Sequence, residues 1–419
     1  MKEPHASGRV SRRQTIKGIA GLGALSATGL AAPGILRSAR AAAPIKIGVI
    51  LPLTGLWTVF GRADSQGFQL AVDEINAAGG ILGRKVEVIL TDSQTQPRIV
   101  VEQANRLIRE DRVDFLAGTF SSAARNAAAP VVTAANKVLL YPTFYEGQEQ
   151  KYYPGVCNPN IFMFGPTPQQ QVWPHMEYMM GKYGKKFFLI GSDYVWPRVT
   201  NEVSKEKLKD LDGTVVGEVY IPLGTPQYDT VLRQIRGSGA NVILDTMAGG
   251  DEVSFRKQFV AAGMNKDFAI WSLAAEEVVT SGLGPQVSAG GYSSFDYFMT
   301  LKVPSNQAFI KRLKEKYGKG ALMDTVGADM YNAAHMAAMA LAKTGKVTTE
   351  GLREGLHGLV YKDALQGTVT MRALDNQVIV PSYLMRVREG WTSIDDMFEE
   401  IRHVDAVEPG KAECNKLPL

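Results

Sequence analysis

Ile45-Lys46-Ile47-Gly48-Val49-Ile50-Leu51 is almost wholly apolar and rich in β-branched residues. A short run of that kind reads as a strand buried on both faces. Downstream, Asp64–Ala78 carries Phe68, Leu70, Ala71, Val72 and Ile75 at helical spacing and stops at Gly79-Gly80. Val86–Leu90 is a second apolar run, and Pro97–Arg109 a second amphipathic stretch with proline at its start. Phe115–Gly118 (strand), Arg125–Asn136 (helix) and Val138–Tyr141 (strand) continue the alternation. This β-α-β-α-β-α-β order predicts a doubly wound parallel sheet with helices on both faces.

Tyr145–Pro159 interrupts the pattern with an aromatic stretch punctuated by Gly and Pro. A second alternation follows. Gln170–Tyr183, Arg198–Asp210, Tyr228–Arg236 and Val253–Ala262 read as helices. Phe187–Ile190, Val215–Tyr220, Val242–Thr246 and Ala269–Ser272 read as strands. Gly291–Phe298, Ser305–Tyr317, Ala328–Lys343 and Val380–Val387 complete one or both sheets, and Val404–Leu419 has no period. The fold class is therefore α/β, with two doubly wound, Rossmann-like lobes joined by several chain crossings. The expected division is 42–165 with 292–363 for the first lobe and 166–291 with 364–403 for the second. The expected tail is 404–419. Such a shape places a ligand cleft at the carboxyl ends of both sheets.

The chain has 419 residues, 45% of them hydrophobic and 21% charged, which is globular composition and excludes disorder or a fibre. Its formal charge of +4 comes from the N-terminus. Residues 1–41 hold seven of the 46 Lys/Arg and one of the 42 acids, leaving 39 bases against 41 acids. That balance gives no support for a nucleic-acid partner.

Ser11-Arg12-Arg13-Gln14-Thr15-Ile16-Lys17 precedes an uncharged run from Gly18 to Leu36, and Ala39-Arg40-Ala41 supplies a small-residue cleavage pattern. These three features predict a secretory signal over residues 1–41, and the paired arginines predict its twin-arginine subtype. The expected mature chain starts near Ala42 and resides in the periplasm. Cys157 and Cys414 are the two cysteines; after export they either bridge or stay as two thiols.

Enzyme motifs are missing: no P-loop, no H-E-x-x-H, no G-x-S-x-G. Gly79-Gly80-Ile81-Leu82-Gly83 follows a helix and precedes a strand, the reverse of a dinucleotide loop. The five histidines are scattered, and His335 reads as a packed residue. No catalytic set, cofactor or metal site is expected. Polar and aromatic side chains instead gather at strand ends. They are Thr119-Phe120-Ser121-Ser122, Tyr141-Pro142-Thr143-Phe144-Tyr145-Glu146-Gly147 and Asp193-Tyr194-Val195-Trp196-Pro197-Arg198. Loops at strand ends carry binding more often than packing. Aromatic faces with nearby hydroxyls suit a small, flat, polar molecule.

Two segments resemble the leucine/isoleucine/valine type of periplasmic ligand-binding protein. They are Ile47-Gly48-Val49-Ile50-Leu51-Pro52-Leu53-Thr54-Gly55 and Asp73-Glu74-Ile75-Asn76-Ala77-Ala78-Gly79-Gly80-Ile81-Leu82-Gly83. The resemblance runs from about Ile45 to Arg388. Tyr141-Pro142-Thr143 with Tyr145-Glu146-Gly147, Asn160-Ile161-Phe162, Gly191-Ser192-Asp193-Tyr194-Val195-Trp196-Pro197-Arg198 and Ile221-Pro222-Leu223-Gly224 are similar to the urea and short-chain-amide branch. The resemblance implies a ligand between the lobes, faced by Phe120, Ser122, Tyr141 and Thr143 from the first and by Tyr194 from the second. Hydroxyls and helix N-terminal N–H groups would hold its carbonyl oxygen. Glu146, Asp251 and Glu276 are the candidate acceptors for its N–H groups. Asp251 stands where amino-acid-binding relatives place the acid that meets the ligand ammonium, and Glu276 and Glu277 also fit as solvated loop charges. Ala123-Ala124, Lys151–Cys157 and Asp245–Gly250 depart from the family pattern.

The implied protein is a monomeric, exported solute-binding component of an ABC importer, taking urea or a short-chain amide to a membrane permease and its ATPase. A branched-chain or other amino acid is the alternative ligand. A sensor controlling a partner protein is the alternative of another class, and neighbouring genes would tell the two apart.

Overall fold

The structure, a computed structural model, describes residues 42–149, 151, 157–412 and 414. The twin-arginine segment, most of Lys151–Cys157 and the last residues of the tail lie outside the described residues.

The first sheet is assembled as expected. The chain runs through β1 (Ile45–Leu51), α1 (Thr58–Ala77), β2 (Val86–Asp92), α2 (Pro97–Arg109), β3 (Phe115–Gly118), α3 (Ser122–Ala134), β4 (Leu139–Tyr141) and β5 (Ile161–Met163). The sheet order is β2-β1-β3-β4-β5, all parallel. Side chains of β1 alternate between two apolar layers. Ile45, Ile47, Val49 and Leu51 join Phe68, Ala71 and Ile75 of α1, whereas Ile50 packs with Val100, Ala104 and Leu107 of α2 and Val132 of α3. A strand with helices on both faces has no polar side to show, which is why the run from Ile45 reads as continuously apolar.

The second unit repeats the scheme with α4 (Pro168–Tyr183), β6 (Lys186–Ser192), α5 (Val195–Asp210), β7 (Thr214–Ile221), α6 (Asp229–Gly237), β8 (Val242–Thr246), α7 (Gly250–Ala261), β9 (Ala269–Ser272), α8 (Glu277–Leu283), α9 (Pro285–Ser288) and β10 (Tyr292–Phe295). Thr167 and Gln170 form a reciprocal capping box that starts α4, with Pro168 in the first helical position. In β6, Phe187 and Leu189 face the α4–α5 layer, and Phe188 and Ile190 face the opposite layer with Ile235 and Phe255.

The remaining chain is α10 (Pro304–Tyr317), α11 (Thr325–Thr344), α12 (Thr349–Leu356), β11 (Val360–Ala364), β12 (Gly367–Met371), β13 (Val378–Val387) and β14 (Phe398–Val407). Met330, Ala333 and Ala337 of α11 and Phe309 of α10 return to the core of the first sheet. His335 packs its ring 4.5 Å from that of Tyr331.

The second sheet departs from the expectation of a purely parallel array. β7-β6-β8-β9-β10 are parallel, but β13 joins β10 antiparallel and pairs in turn with β12 and β14, while β11 pairs with β12. The tail expected from Val404 is likewise corrected, because β14 carries regular structure to Val407. Of the two fates for the cysteines, the structure has the bridge: Cys157 and Cys414 are joined, with Cα atoms 5.4 Å apart.

Candidate functional site

A cavity opens where the carboxyl ends of β1, β3 and β4 meet those of β6, β8 and β9. Trp57 and Phe60 reach it from the start of α1. Phe120, Ser121 and Ser122 come from the β3–α3 turn, and Thr143 and Phe144 follow β4. Tyr194 and Trp196 follow β6, Ala248 and Gly249 follow β8, and Ala274 and Glu276 follow β9. Asp324, Thr325 and Val326 at the start of α11 close it.

The β3–α3 turn needs a tight backbone. Gly118 has φ +97°, and a Cβ there would sit 2.5 Å from the Ile50 carbonyl oxygen. Thr119 follows with φ +65°, an unusual conformation for a β-branched residue. The turn delivers Ser121 as the cap of α3, where its hydroxyl oxygen accepts the Ala124 N–H at 3.2 Å.

Six aromatic side chains form most of the wall. Phe60 stacks on Phe120 at 5.0 Å, and Trp57 lies 5.4 Å from Phe120 and 6.2 Å from Tyr194. Phe144 lies 4.8 Å from Trp196. The cavity holds about 20 Å³ of free volume for a water-sized sphere, where one water needs about 10–15 Å³. Among the described residues, no Lys, Arg or His lines it.

Of the residues expected to face a ligand, Phe120, Ser122, Thr143, Tyr194 and Glu276 line the cavity, and three do not. Tyr141 is wholly buried behind the wall, with the Arg125 guanidinium 5.0 Å from its ring centre and Tyr145 edge-on at 6.0 Å. Glu146, expected as a ligand acceptor, is buried in an ion pair with Arg125 and accepts the Ser122 hydroxyl at 2.5 Å. Asp251 turns its carboxylate to the Gly224 N–H, 3.1 Å from each oxygen. Ion pairing and backbone donors satisfy these two acids inside the protein, which is why they stand one layer back.

Glu276 is not a solvated charge. It is 2% exposed; one carboxyl oxygen caps α8 by accepting the Val278 N–H at 2.6 Å, and the other has no partner. Asp324 likewise caps its helix, accepting the Gly327 N–H at 2.7 Å, and its carboxyl is also hydrogen-bonded to that of Asp64. Asp64 and Glu277 are buried in the same cluster. Burial, followed by the Asp324 charge, pushes the Glu276 carboxyl well up, and burial pushes Asp324 up to about 6. Trp196 belongs to the strand-end motif Asp193–Arg198, whereas Trp57, Phe60, Asp324 and Thr325 carry no signal in the sequence reading because they belong to helix starts outside those motifs.

Burial also pushes the Glu277 carboxyl from its ordinary 4.5 up to about 8. The folded chain thus holds a proton that the unfolded chain releases. That contribution to stability is complete below about pH 4.5 and is lost as pH rises through about 8. Glu277→Gln is expected to flatten the fall of melting temperature between pH 5 and 8, by roughly 2–5 °C. Circular dichroism melts across that range check it, and parallel profiles for the two proteins would refute it.

The chain belongs to the periplasmic binding protein family, whose sequence profile matches residues 44–391. The family is defined by binding, not catalysis. A relative from Pseudomonas aeruginosa described as an amino acid binding protein is 26% identical over 349 residues, covering 80% of this chain and 86% of its own length. A Leu/Ile/Val-binding protein homolog 8 from Brucella abortus is 28% identical over 294 residues, covering 66% and 71%. An amino acid ABC transporter substrate-binding protein from Pseudomonas fluorescens Pf-5 superposes with TM-score 0.79 at 20% identity, over 90% of this chain and all of that one. A solute-binding protein of an ABC transporter from R. palustris, in complex with 4-hydroxybenzoate, does so with TM-score 0.78 at 21% identity, over 87% and 98%. The two doubly wound α/β lobes expected from the strand order, and the periplasmic binding fold implied by the resemblance, are therefore the type I periplasmic binding fold of this protein.

Proposed function

We propose that this chain is the exported solute-capturing component of an ABC importer and that it carries urea or a short-chain amide to a membrane permease and its ATPase. The observation that carries the reading is the cavity: aromatic, nearly sealed, with room for only a few heavy atoms and no basic side chain on its wall. A planar neutral solute can stack on the rings and give its N–H groups to the carboxyl oxygens of Glu276 and Asp324. The first turn of α3 offers donors for its carbonyl oxygen. A carboxylate ligand would meet only that helix end and hydroxyls, which counts against an aromatic acid. The twin-arginine export of residues 1–41, the lobe division 42–165 with 292–363 and 166–291 with 364–403, and a monomeric state go with this proposal.

An amino acid is the second reading. The same carboxyl groups of Glu276 and Asp324 suit an ammonium group, and three of the four proteins named above are described as binding or transporting amino acids.

The test is calorimetric titration of the mature chain, unfolded and refolded to remove bound solute, with urea, formamide, acetamide, leucine, valine and glutamate. Saturable binding of urea or an amide with leucine silent is the expected result; the reverse pattern establishes the amino-acid reading. Tyr194→Ala is expected to weaken binding by ~1–3 kcal/mol, roughly 5- to 150-fold, because a large aromatic face is lost. Unchanged affinity would remove Tyr194 from the site.

A further inference from the structure

Three of the hydroxyl groups at this cavity have their protons directed away from it. Ser122 donates to the Glu146 carboxylate at 2.5 Å, and that carboxylate is held by Arg125. Thr325 donates to Asp296 at 2.7 Å, and Thr143 to the Thr119 carbonyl at 3.4 Å. A hydroxyl whose proton is spent on the protein turns its lone pairs to a ligand. To these acceptors Glu276 adds a carboxyl oxygen that is buried, lines the cavity and has no partner, and Asp324 adds a buried carboxyl that lines the cavity and is hydrogen-bonded to that of Asp64. Asp64 and Glu277 stand behind them in the same buried cluster. No cationic side chain lines the cavity among the described residues to balance four acids. The unpartnered indole N–H groups of Trp57 and Trp196 are the donors on the same wall, and they carry no charge; the acid is left unbalanced and calls for a ligand with several N–H groups and positive charge.

We propose that this cavity also takes a planar, N–H-rich cation of the guanidinium or amidinium class, and holds it more tightly than the neutral amide of the same shape. The proposal rests on the reading of this cavity as the ligand site. Guanidinium has the flat three-armed outline and heavy-atom count of urea, with the single acceptor arm replaced by a donor arm. It therefore fits the same small space and satisfies one more lone pair of the wall. Its charge lets Glu276, whose carboxyl burial keeps protonated in the empty cavity, release that proton to solvent and face the cation as a carboxylate. The rings of Trp57, Phe120 and Tyr194 offer the faces that attract a flat cation. The first turn of α3 opposes a cation, but a helix end carries only about half a charge, against a cluster of four carboxyl groups.

The experiment titrates the ligand-free mature chain with guanidinium chloride and acetamidinium chloride, alongside urea and acetamide at matched ionic strength. Cation concentrations stay below about 10 mM, far under the molar range that unfolds proteins. Far-UV circular dichroism confirms that the chain stays folded. The expected result is guanidinium binding about tenfold or more tighter than urea. Glu276→Gln and, separately, Asp324→Asn should each lower the guanidinium-to-urea affinity ratio by about tenfold. Urea binding with guanidinium silent overturns the proposal and leaves the amide reading standing. Guanidinium binding with urea and amides silent supports the proposal and removes the amide reading. Silence of all four removes both, and an affinity ratio unmoved in both variants places the cation elsewhere and overturns the proposal.

Discussion

Arg125→Met is expected to destabilise the protein by about 3–5 kcal/mol, the range for removing one partner of a buried ion pair. Arg125 and Glu146 are both without solvent exposure in their side chains. The arginine also stacks 5.0 Å from Tyr141 and 4.9 Å from Tyr145 and donates to Asn126. Without it, Glu146 keeps the Ser122 hydroxyl but loses its counter-charge inside a core that offers no water. At about 2.1 cal/mol/K per residue, the loss lowers the melting temperature of a chain of this size by roughly 4–6 °C. A second variant separates charge from packing. Arg125→Met combined with Glu146→Leu should regain most of the loss, since apolar replacement of both partners is often nearly neutral. A double variant as unstable as the single would locate the energy in the stacking on Tyr141 and Tyr145 instead. Binding should fall in the double variant, because Glu146 orients Ser122 at the cavity wall.

The second large effect lies at the Cys157–Cys414 bridge. The two residues are 257 apart in sequence, so the bridge closes most of the chain into a loop. The chain-entropy treatment gives about 5.6 kcal/mol for closing a loop of that length, and native disulfides commonly deliver about 2–5. Cys157→Ser with Cys414→Ser is therefore expected to lose stability in that range, as is the reduced wild-type protein. The measurement is thermal melting with and without reductant. Heat is the denaturant of choice because urea and guanidinium are both proposed ligands. Coincident melts of reduced and oxidised protein would show that the ladder between β13 and β14 holds the C-terminal segment without the bridge.

The α/β alternation was legible because its strands are buried on both faces. Runs such as Ile45–Leu51 and Val242–Thr246 have no polar side, and the helices between them carry clean apolar stripes. The late strands lack that signature. β14 is half exposed and carries Glu399, Glu400, Arg402 and Asp405 among its apolar residues, so no strand stands out and its end from Val404 reads as tail; β11 is an edge strand with most of its residues exposed. The site was legible where it follows a strand in sequence, at Phe120, Ser122, Thr143 and Tyr194. It was not legible where a helix start from another part of the chain closes the space. Trp57 and Phe60 precede the stretch that reads as the first helix, and Asp324 carries only a capping signature. Tyr141, Glu146 and Asp251 have the right chemistry for a ligand, but only the fold shows that Arg125 and the Gly224 N–H have already claimed the acids.

The sealing of the cavity has a consequence for rates. Trp57, Phe60, Phe120, Ser122, Thr143, Glu276 and Asp324 are each under a tenth exposed while forming its wall, and Phe144 and Tyr194 are half-buried, so most of the wall is shut off from solvent. Entry requires the elements on either side, such as the start of α1 and the β8–α7 turn, to part first. Exchange of solute is then timed by a conformational step of the protein, on the microsecond-to-millisecond scale of such motions. Raising the solute concentration speeds capture only until each opening is met by a molecule already waiting. Beyond that point the protein itself keeps the clock.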